Sequence, residues 1–510
     1  MYLSVSLISA LLFFSSKSAA TSVVTSRISA QNATVEALVY AFPLQPYVTF
    51  ANSVANHSGA QWTTNSLAHE TTLANASFRT IILPNVDTLY SEALLDLSGA
   101  DLVATMPAME EGRFFVWPFY DLYGNNVCNI GTVTNSTPGK YLIQYRASNP
   151  GCAPAKGEYE GIITLPTVYG AAMLRIEVSN SSDAAHVVSA IQPQFSLATY
   201  SPAAVARAPM LTEALLNGNL SMANPPLYFM ELLARVAAYN PPEDASDISR
   251  ISAILEAAGI SSTTHTYTQP AGVDLASAYT AAMGTIAAVS STPADFISLG
   301  GGWMTTLPSL SGDFHTHYDV RASIALGAYL QLQSAEAIYP VYALNQHFSS
   351  NQTYVIEFFG KPLVNGFWSL TMYDGDGFLV PNPINRYSIN DRGNMTYPNG
   401  TLVYGGDSPS DSNEPFYILL QSTDHAVLAE WESNWLPTPA NSEEFHFILR
   451  WYGPTDSLTD GTYKYPNITA VSYLFLSRPL NVQTYLSEAQ YRVARLSPTG
   501  IFFGETALTI

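Results

Sequence analysis

Four short clusters set acids, amides, phenols and one guanidinium beside aromatic rings. The first is Asn85-Val86-Asp87-Thr88-Leu89-Tyr90-Ser91, and the second is Tyr120-Asp121-Leu122-Tyr123-Gly124-Asn125-Asn126. The third is Asn382-Pro383-Ile384-Asn385-Arg386-Tyr387, and the fourth is Asn434-Trp435-Leu436-Pro437. An aromatic wall with a few convergent polar groups is what a small-molecule pocket needs. In a catalytic reading Asp87 or Asp121 acts as general acid or base, and Tyr90 and Tyr123 orient or donate protons. Arg386 holds a carboxylate or enolate, while Asn382, Trp368 and Trp435 contact the substrate. The competing reading is structural. Asp and Asn at strand ends commonly bond backbone turns, and Arg386 would then pair with a buried Asp.

Other chemistries find little support. The sequence has no P-loop, no GxGxxG after a strand, no GxSxG elbow and no HExxH. His315-x-His317 is the only close histidine pair. On a strand, residues i and i+2 share a face and can ligate one ion. Here the pair precedes a predicted helix, and spacing names no third ligand. The expectation is therefore cofactor-free acid–base chemistry without a bound metal. His69 and His446 read as ordinary surface or strand residues.

These clusters sit at the mouths of short strands. Runs at Thr80–Leu83, Arg113–Tyr120, Tyr141–Tyr145, Gly161–Leu165 and Met173–Val178 are rich in aromatic and β-branched residues and are separated by Asn, Gly and Pro. Strands return at 355–359, Phe367–Tyr373 and Phe445–Trp451, with Asp374-Gly375-Asp376-Gly377 as a turn. Between them, helical periodicity appears at Leu227–Asn240, Asp247–Gly259, Leu275–Ala288 and Val320–Gln333, after an early helical stretch near Val35–Phe42. The reading is mainly β with a helical connector (α+β): an N-terminal β unit over 21–190, a helical connector over 191–345 and a C-terminal β unit over 346–510.

Composition bounds the surroundings. Of 510 residues, 47% are hydrophobic and only 12% charged, against about 25% charged for an average soluble domain. The net charge of −20 repels phosphate backbones and anionic bilayers, so neither nucleic acid nor membrane is expected as a partner. Residues 1–20 read as a secretory signal peptide, with an apolar core from Leu3 to Phe14 and small residues at Ser18-Ala19-Ala20. That core falls short of the roughly 20 residues a membrane span needs. Asn-x-Ser/Thr sequons stand at Asn32, Asn56, Asn75, Asn135, Asn180, Asn219, Asn351, Asn394, Asn399 and Asn467. The two cysteines, Cys128 and Cys152, allow a single disulfide in an oxidising compartment, or two buried thiols otherwise. The chain reads as a secreted glycoprotein.

Ile81 to Gln192 resembles domain of unknown function 1254. The resemblance rests on Asn85-x-Asp-Thr-x-Tyr-Ser, Asp96-Leu97, Asp121-x-Tyr123, Gly131-Thr132, Pro166-Thr167 and Arg175. Tyr318 to Thr469 resembles domain of unknown function 1214, through Glu336-Ala337-x-Tyr339-Pro340, the Gly366–Asp374 segment, Asn382-Pro383-x-Asn385-Arg386-Tyr387, Asn434–Pro437, Arg450-x-Tyr452-x-Pro454 and Gly461-Thr462. The sequence departs from the family pattern over Trp62 to Ala74, around Cys152 and at Asn135–Pro138. The resemblance implies two β-sandwich or jelly-roll units joined by helices, and no reaction. The function expected is a hydrolase, isomerase, dehydratase or cyclase acting on a small, largely apolar metabolite of lipid-like or polyketide-like character. The alternative is a non-catalytic extracellular binder of glycan or hydrophobic ligand, which an exposed coplanar row of Trp368, Trp431 and Trp435 would favour.

Overall fold

Period-two alternation of apolar side chains builds the first unit. A computed structural model describes residues 28–57, 62–79, 83–203, 205–343, 348–406 and 413–471. The expected signal peptide and most of the Thr80–Leu83 run lie outside the described residues. Strands β1 (Ala68–His69), β2 (Thr88–Asp96), β3 (Ala100–Met106), β4 (Phe115–Asp121), β5 (Asn126–Gly131), β6 (Gly139–Tyr145), β7 (Gly151–Lys156), β8 (Tyr159–Leu165), β9 (Tyr169–Glu177) and β10 (Ser196–Pro202) form two sheets. Their orders are β1-β2-β9-β4-β5 and β10-β3-β6-β8-β7. Leu89 and Leu95 of β2, Trp117 and Phe119 of β4, and Leu174 and Ile176 of β9 point into one apolar cluster with Leu102, Ile143 and Ile163 of the second sheet. The Cys128–Cys152 disulfide forms as the sequence allowed and joins β5 to β7, an edge strand of each sheet.

Helices cover the outer face of the first sheet. Those at Ala30–Ala41, Leu44–His57, Pro225–Val236, Ile248–Ala257, Leu275–Ala288 and Tyr318–Gly327 share a core with Leu94, Tyr120 and Ala171 of β2, β4 and β9. Ser29 and Asp274 cap two of them by accepting the Asn32 and Ser277 amides. The helix at Leu44–His57 follows the expected early helical stretch and was not itself read from the sequence. Its Pro46 sits in the first turn, where a missing N–H breaks no helical bond. The connector also holds strands: a hairpin of β11 (Ile260–Ser261) and β12 (Thr266–Tyr267), then β13 (Phe296–Gly300), β14 (Trp303–Thr306), β15 (Ala337–Ile338) and β16 (Val341–Tyr342).

The last unit contains β17 (Phe348–Ser349), β18 (Thr353–Phe358), β19 (Trp368–Asp374), β20 (Ser388–Asn390), β21 (Phe416–Ser422), β22 (Trp435–Thr438), β23 (Glu444–Tyr452) and β24 (Asn467–Val471). Its sheets run β15-β23-β19-β20, with β17 also on β23, and β22-β21-β18-β24. Trp368, Leu370 and Met372 of β19 and Leu449 and Trp451 of β23 pack against Ile356, Phe358, Ile418 and Leu420 of the facing sheet. The Asp374–Gly377 turn closes as expected, with the Gly377 amide bonded to the Asp374 carbonyl. The protein is α+β, mostly β, with several open sheets and no barrel among the described residues.

Candidate functional site at the seam between the sheets

Alternation that sends one face of a strand to its own core sends the other face elsewhere. In β2, β4 and β9 the faces turned away from that core carry Tyr90, Glu92, Tyr120, Met173 and Arg175, with Tyr90 paired directly across from Arg175. In β19 and β23 they carry Ser369, Thr371, Tyr373, Arg450 and Tyr452, with Ser369 across from Arg450. These two polar faces meet. Asn85 Nδ2 donates to the Tyr452 hydroxyl at 2.6 Å, and the Tyr373 hydroxyl donates to the Pro84 carbonyl at 2.8 Å. Arg175 Nη1 reaches the Tyr339 hydroxyl at 3.4 Å, and the Tyr120 hydroxyl donates to the Leu330 carbonyl at 2.8 Å.

Two arginines are buried in this seam without a carboxylate at ion-pair distance. Arg175 is 6% exposed and Arg450 4%. Neither forms an ion pair with a carboxylate among the described residues. Arg450 donates to Thr371 Oγ1 (2.9 Å), the Tyr373 hydroxyl (2.8 Å) and the Leu83 carbonyl (3.3 Å). Arg175 has one firm bond, to the Leu330 carbonyl at 3.0 Å, and its Nε has no partner. Burial opposes the charge of Arg175, and the surrounding Tyr120, Tyr339, Tyr90 and Tyr452 favour it only when ionised, being neutral phenols near pH 7. Arg450 is alike, with Tyr373 and Tyr452 beside it. An uncompensated buried guanidinium costs several kcal/mol, about what a buried ion loses on leaving water. Tyr90 and Tyr339 keep solvent-accessible surface, although burial raises the pKa of Tyr90.

Acids with raised pKa values stand at the edge of this group. Burial pushes Glu336 up to about 7, and its Oε2 accepts no hydrogen bond. Glu336 lies within electrostatic reach of Tyr120, as Arg175 does. Burial and the charge of Glu70 push Glu92 up to about 8, against the pull of Arg175. A carboxyl that titrates near neutrality suits proton transfer, and Glu92 does so within reach of the Arg175 charge.

The residues singled out from the sequence are distributed differently. Tyr90 is in the seam. Asp87 is beside it but engaged: Arg392 Nη2 donates to its Oδ1 at 2.7 Å, with Asn390 Nδ2 at 3.0 Å and the Ser388 hydroxyl at 3.3 Å. Arg392 also meets Asp391 at 3.0 Å and Glu177 at 3.4 Å. Asp121 staples its own turn, accepting the Tyr123 and Asn125 amides at 2.9 Å each and Asn125 Nδ2 at 2.7 Å. The Tyr123 hydroxyl donates to the Asn240 carbonyl under the helices. Arg386 donates to the Glu432 and Trp435 carbonyls at 2.6 and 2.8 Å, and Asn382 closes the Asn382–Arg386 turn. Trp368 is fully buried in the second β core, and Trp431 and Trp435 are buried against Val355 and Leu419. Asp87, Asp121 and Arg386 thus do not share one hollow. The buried indoles form no exposed platform. His315 meets Asp313 rather than His317.

Arg175, Arg450, Glu336, Tyr120 and Tyr339 carry the seam, and no chemical role was read for them from the sequence. Four of the five stand in the motifs that carry the family resemblance. Arg450 alternates with Leu449 and Trp451 in a strand of otherwise apolar and aromatic character. A charge at a position due for burial was the available signal.

Two β units whose polar sheet faces meet over buried arginines, with helices packed on one side, define an α+β protein. Residues 64–199 match the family described as "Protein of unknown function (DUF1254)", and residues 336–456 match "Protein of unknown function (DUF1214)". The chain belongs to the family that pairs these two domains. Among solved structures, the VPA0106 protein from Vibrio parahaemolyticus is similar at 18% identity and a TM-score of 0.58, over 87% of this chain and 100% of that chain. That likeness concerns the fold alone. An uncharacterized protein from Burkholderia cenocepacia aligns at 10% identity and a TM-score of 0.39, over 88% of this chain and 96% of that chain. No curated protein matches the chain.

Proposed function

We propose that the chain binds a small amphipathic molecule at the seam and performs cofactor-free acid–base chemistry on it. The ligand has an apolar skeleton and a carboxylate or enolisable carbonyl. The observation that carries this reading is the pair of buried arginines, Arg175 and Arg450, that make no ion pair among the described residues and are ringed by phenols. A ligand anion supplies the missing charge and accepts the unused guanidinium donors. Tyr90, Tyr120, Tyr339 and Tyr452 supply apolar ring surface and hydroxyls. Glu336, with its pKa near 7, takes a proton from carbon next to the ligand carbonyl and returns it elsewhere. The guanidinium groups stabilise the enolate formed in between. Isomerisation, dehydration and cyclisation all fit that step.

We further read the protein as a secreted glycoprotein. Asn32, Asn75, Asn135, Asn180, Asn219, Asn351, Asn394 and Asn399 are exposed, and the disulfide suits an oxidising compartment. No helix of the described residues is long and apolar enough to cross a membrane. Each pair of sheets, sharing one apolar layer, reads as a sandwich.

The decisive experiment is native mass spectrometry and calorimetry of the full chain with a panel of small aromatic and aliphatic carboxylic acids. Wild type binds at least one, and Arg175→Met and Arg450→Met abolish binding while remaining folded. Glu336→Gln keeps binding and loses turnover. A wild type that takes up no acid, or arginine variants that bind as well as wild type, sinks the reading.

A further inference from the structure

A second group of side chains lies away from the seam, where two loops meet beside the helices. Pro241-Pro242-Glu243-Asp244 runs next to the turn that carries Asp313 and His315 into the Tyr318–Gly327 helix. One ligating atom each from Glu243, Asp313 and His315 lies within 4.8 Å of the others. Glu243 is only 6% exposed, and its Oε2 accepts no hydrogen bond. A buried carboxylate oxygen without a donor bears its full desolvation cost. Its neighbours are another carboxylate and an imidazole, and Asp313 Oδ1 is 3.5 Å from His315 Nδ1.

We propose that Glu243, Asp313 and His315 bind one first-row divalent cation. Two carboxylates and one imidazole suit Zn2+ or Mn2+, and three protein ligands leave a position for water. Glu243 forms the floor, and His315, with its side chain 59% exposed, forms the rim through which an ion enters. Arg321 and Asp121 lie within electrostatic reach of Glu243. The Arg321 guanidinium is held 4.8 Å from each of the Tyr40, Tyr123 and Tyr318 rings, and it makes no ion pair with Glu243. His317 takes no part in the group.

The test is calorimetric titration of the chelator-stripped full chain with ZnCl2 and, separately, MnCl2, with native mass spectrometry to count ions. One ion per chain is expected. Glu243→Gln and His315→Ala each weaken affinity by more than about tenfold, the lower range for losing even an outer-shell partner. His315 is exposed, so its variant folds even if the Glu243 variant does not. Circular dichroism verifies this. Absence of stoichiometric uptake of either ion overturns the proposal, as does a His315→Ala variant that binds like wild type.

Discussion

Arg175 and Arg392 are both buried arginines, yet their surroundings differ in kind. Arg392 faces Asp87, Glu177 and Asp391 and lies over the Phe367 ring at 4.2 Å. Replacing it by Met leaves three acids together, and urea unfolding should show a loss of about 3–5 kcal/mol, the range for breaking a buried pair. Arg175 faces phenols and a carbonyl, with Glu92 in electrostatic reach but not in an ion pair, so Arg175→Met removes a buried charge that no carboxylate pairs. Its unfolding midpoint should stay unchanged or rise, with ligand binding lost. A marked destabilisation would make Arg175 a structural residue. Glu336 offers a pH test with a definite sign. Its folded pKa, about 7, exceeds its unfolded value near 4.5 because burial disfavours the charge. Between those values the folded state binds more protons than the unfolded one, so stability falls as pH rises. The penalty approaches about 3 kcal/mol above pH ~7. Glu336→Gln removes it, so the variant should gain on wild type at pH 8 and not at pH 4.5 in paired denaturant titrations.

At the scale of elements, the disulfide acts where the sheets are weakest. β7 is an edge strand, exposed over most of its length, and pairs only with β8. Cys152 ties it to Cys128 of β5 across a separation of 24 residues. Closing a loop of that size stabilises the folded chain by about 3 kcal/mol in the chain-entropy treatment. The Cys128→Ala/Cys152→Ala double variant should lose roughly that amount, and hydrogen exchange should quicken first in β7. Protection of β7 unchanged from wild type would show that the bond adds little. Element identity was legible beforehand for most of the helices and for a minority of the strands. The Leu275–Ala288 helix appears with the expected bounds because Asp274 caps it and its small residues favour the state. β23 likewise follows from the alternation in Phe445–Trp451. The strand β2 was not read as one. Its first residues look like a polar turn cluster, and both of its faces are buried, so no polar face marks its period. The candidate site was legible only in part for the same reason. Tyr90 was named, while Arg175 and Arg450 lie within strands whose second face has no solvent to announce it.

For the whole molecule, buried acids set the response to pH. Burial raises Glu92 to about 8 and Asp391 to about 7, and Glu177 and Asp121 also rise. Each contributes stability that is lost as pH climbs from its unfolded pKa to its folded one. Asp183 and Asp247 act oppositely. Burial works against Asp183, but hydrogen bonds from Arg113 outweigh it, and the bond from Arg250 lowers Asp247. Their contribution is lost below about pH 4, near the ordinary aspartate value. Thermal unfolding should therefore peak at about pH 4–5 and decline toward pH 8. A maximum at pH 7 or above would contradict these assignments.

The order of strands and helices, the disulfide partners and the family are local or pairwise properties, and the chain's own residues determined them. Hydrophobic periodicity needs only near neighbours, and two cysteines allow one bond. Which polar faces meet was decided by tertiary packing. A buried arginine's character depends on whether an acid hundreds of residues away comes within reach, and strand pattern carries no information about that distance. Hence Asp87 found Arg392 and Asp121 found its own turn, while Arg175 and Arg450 were left facing phenols across the seam.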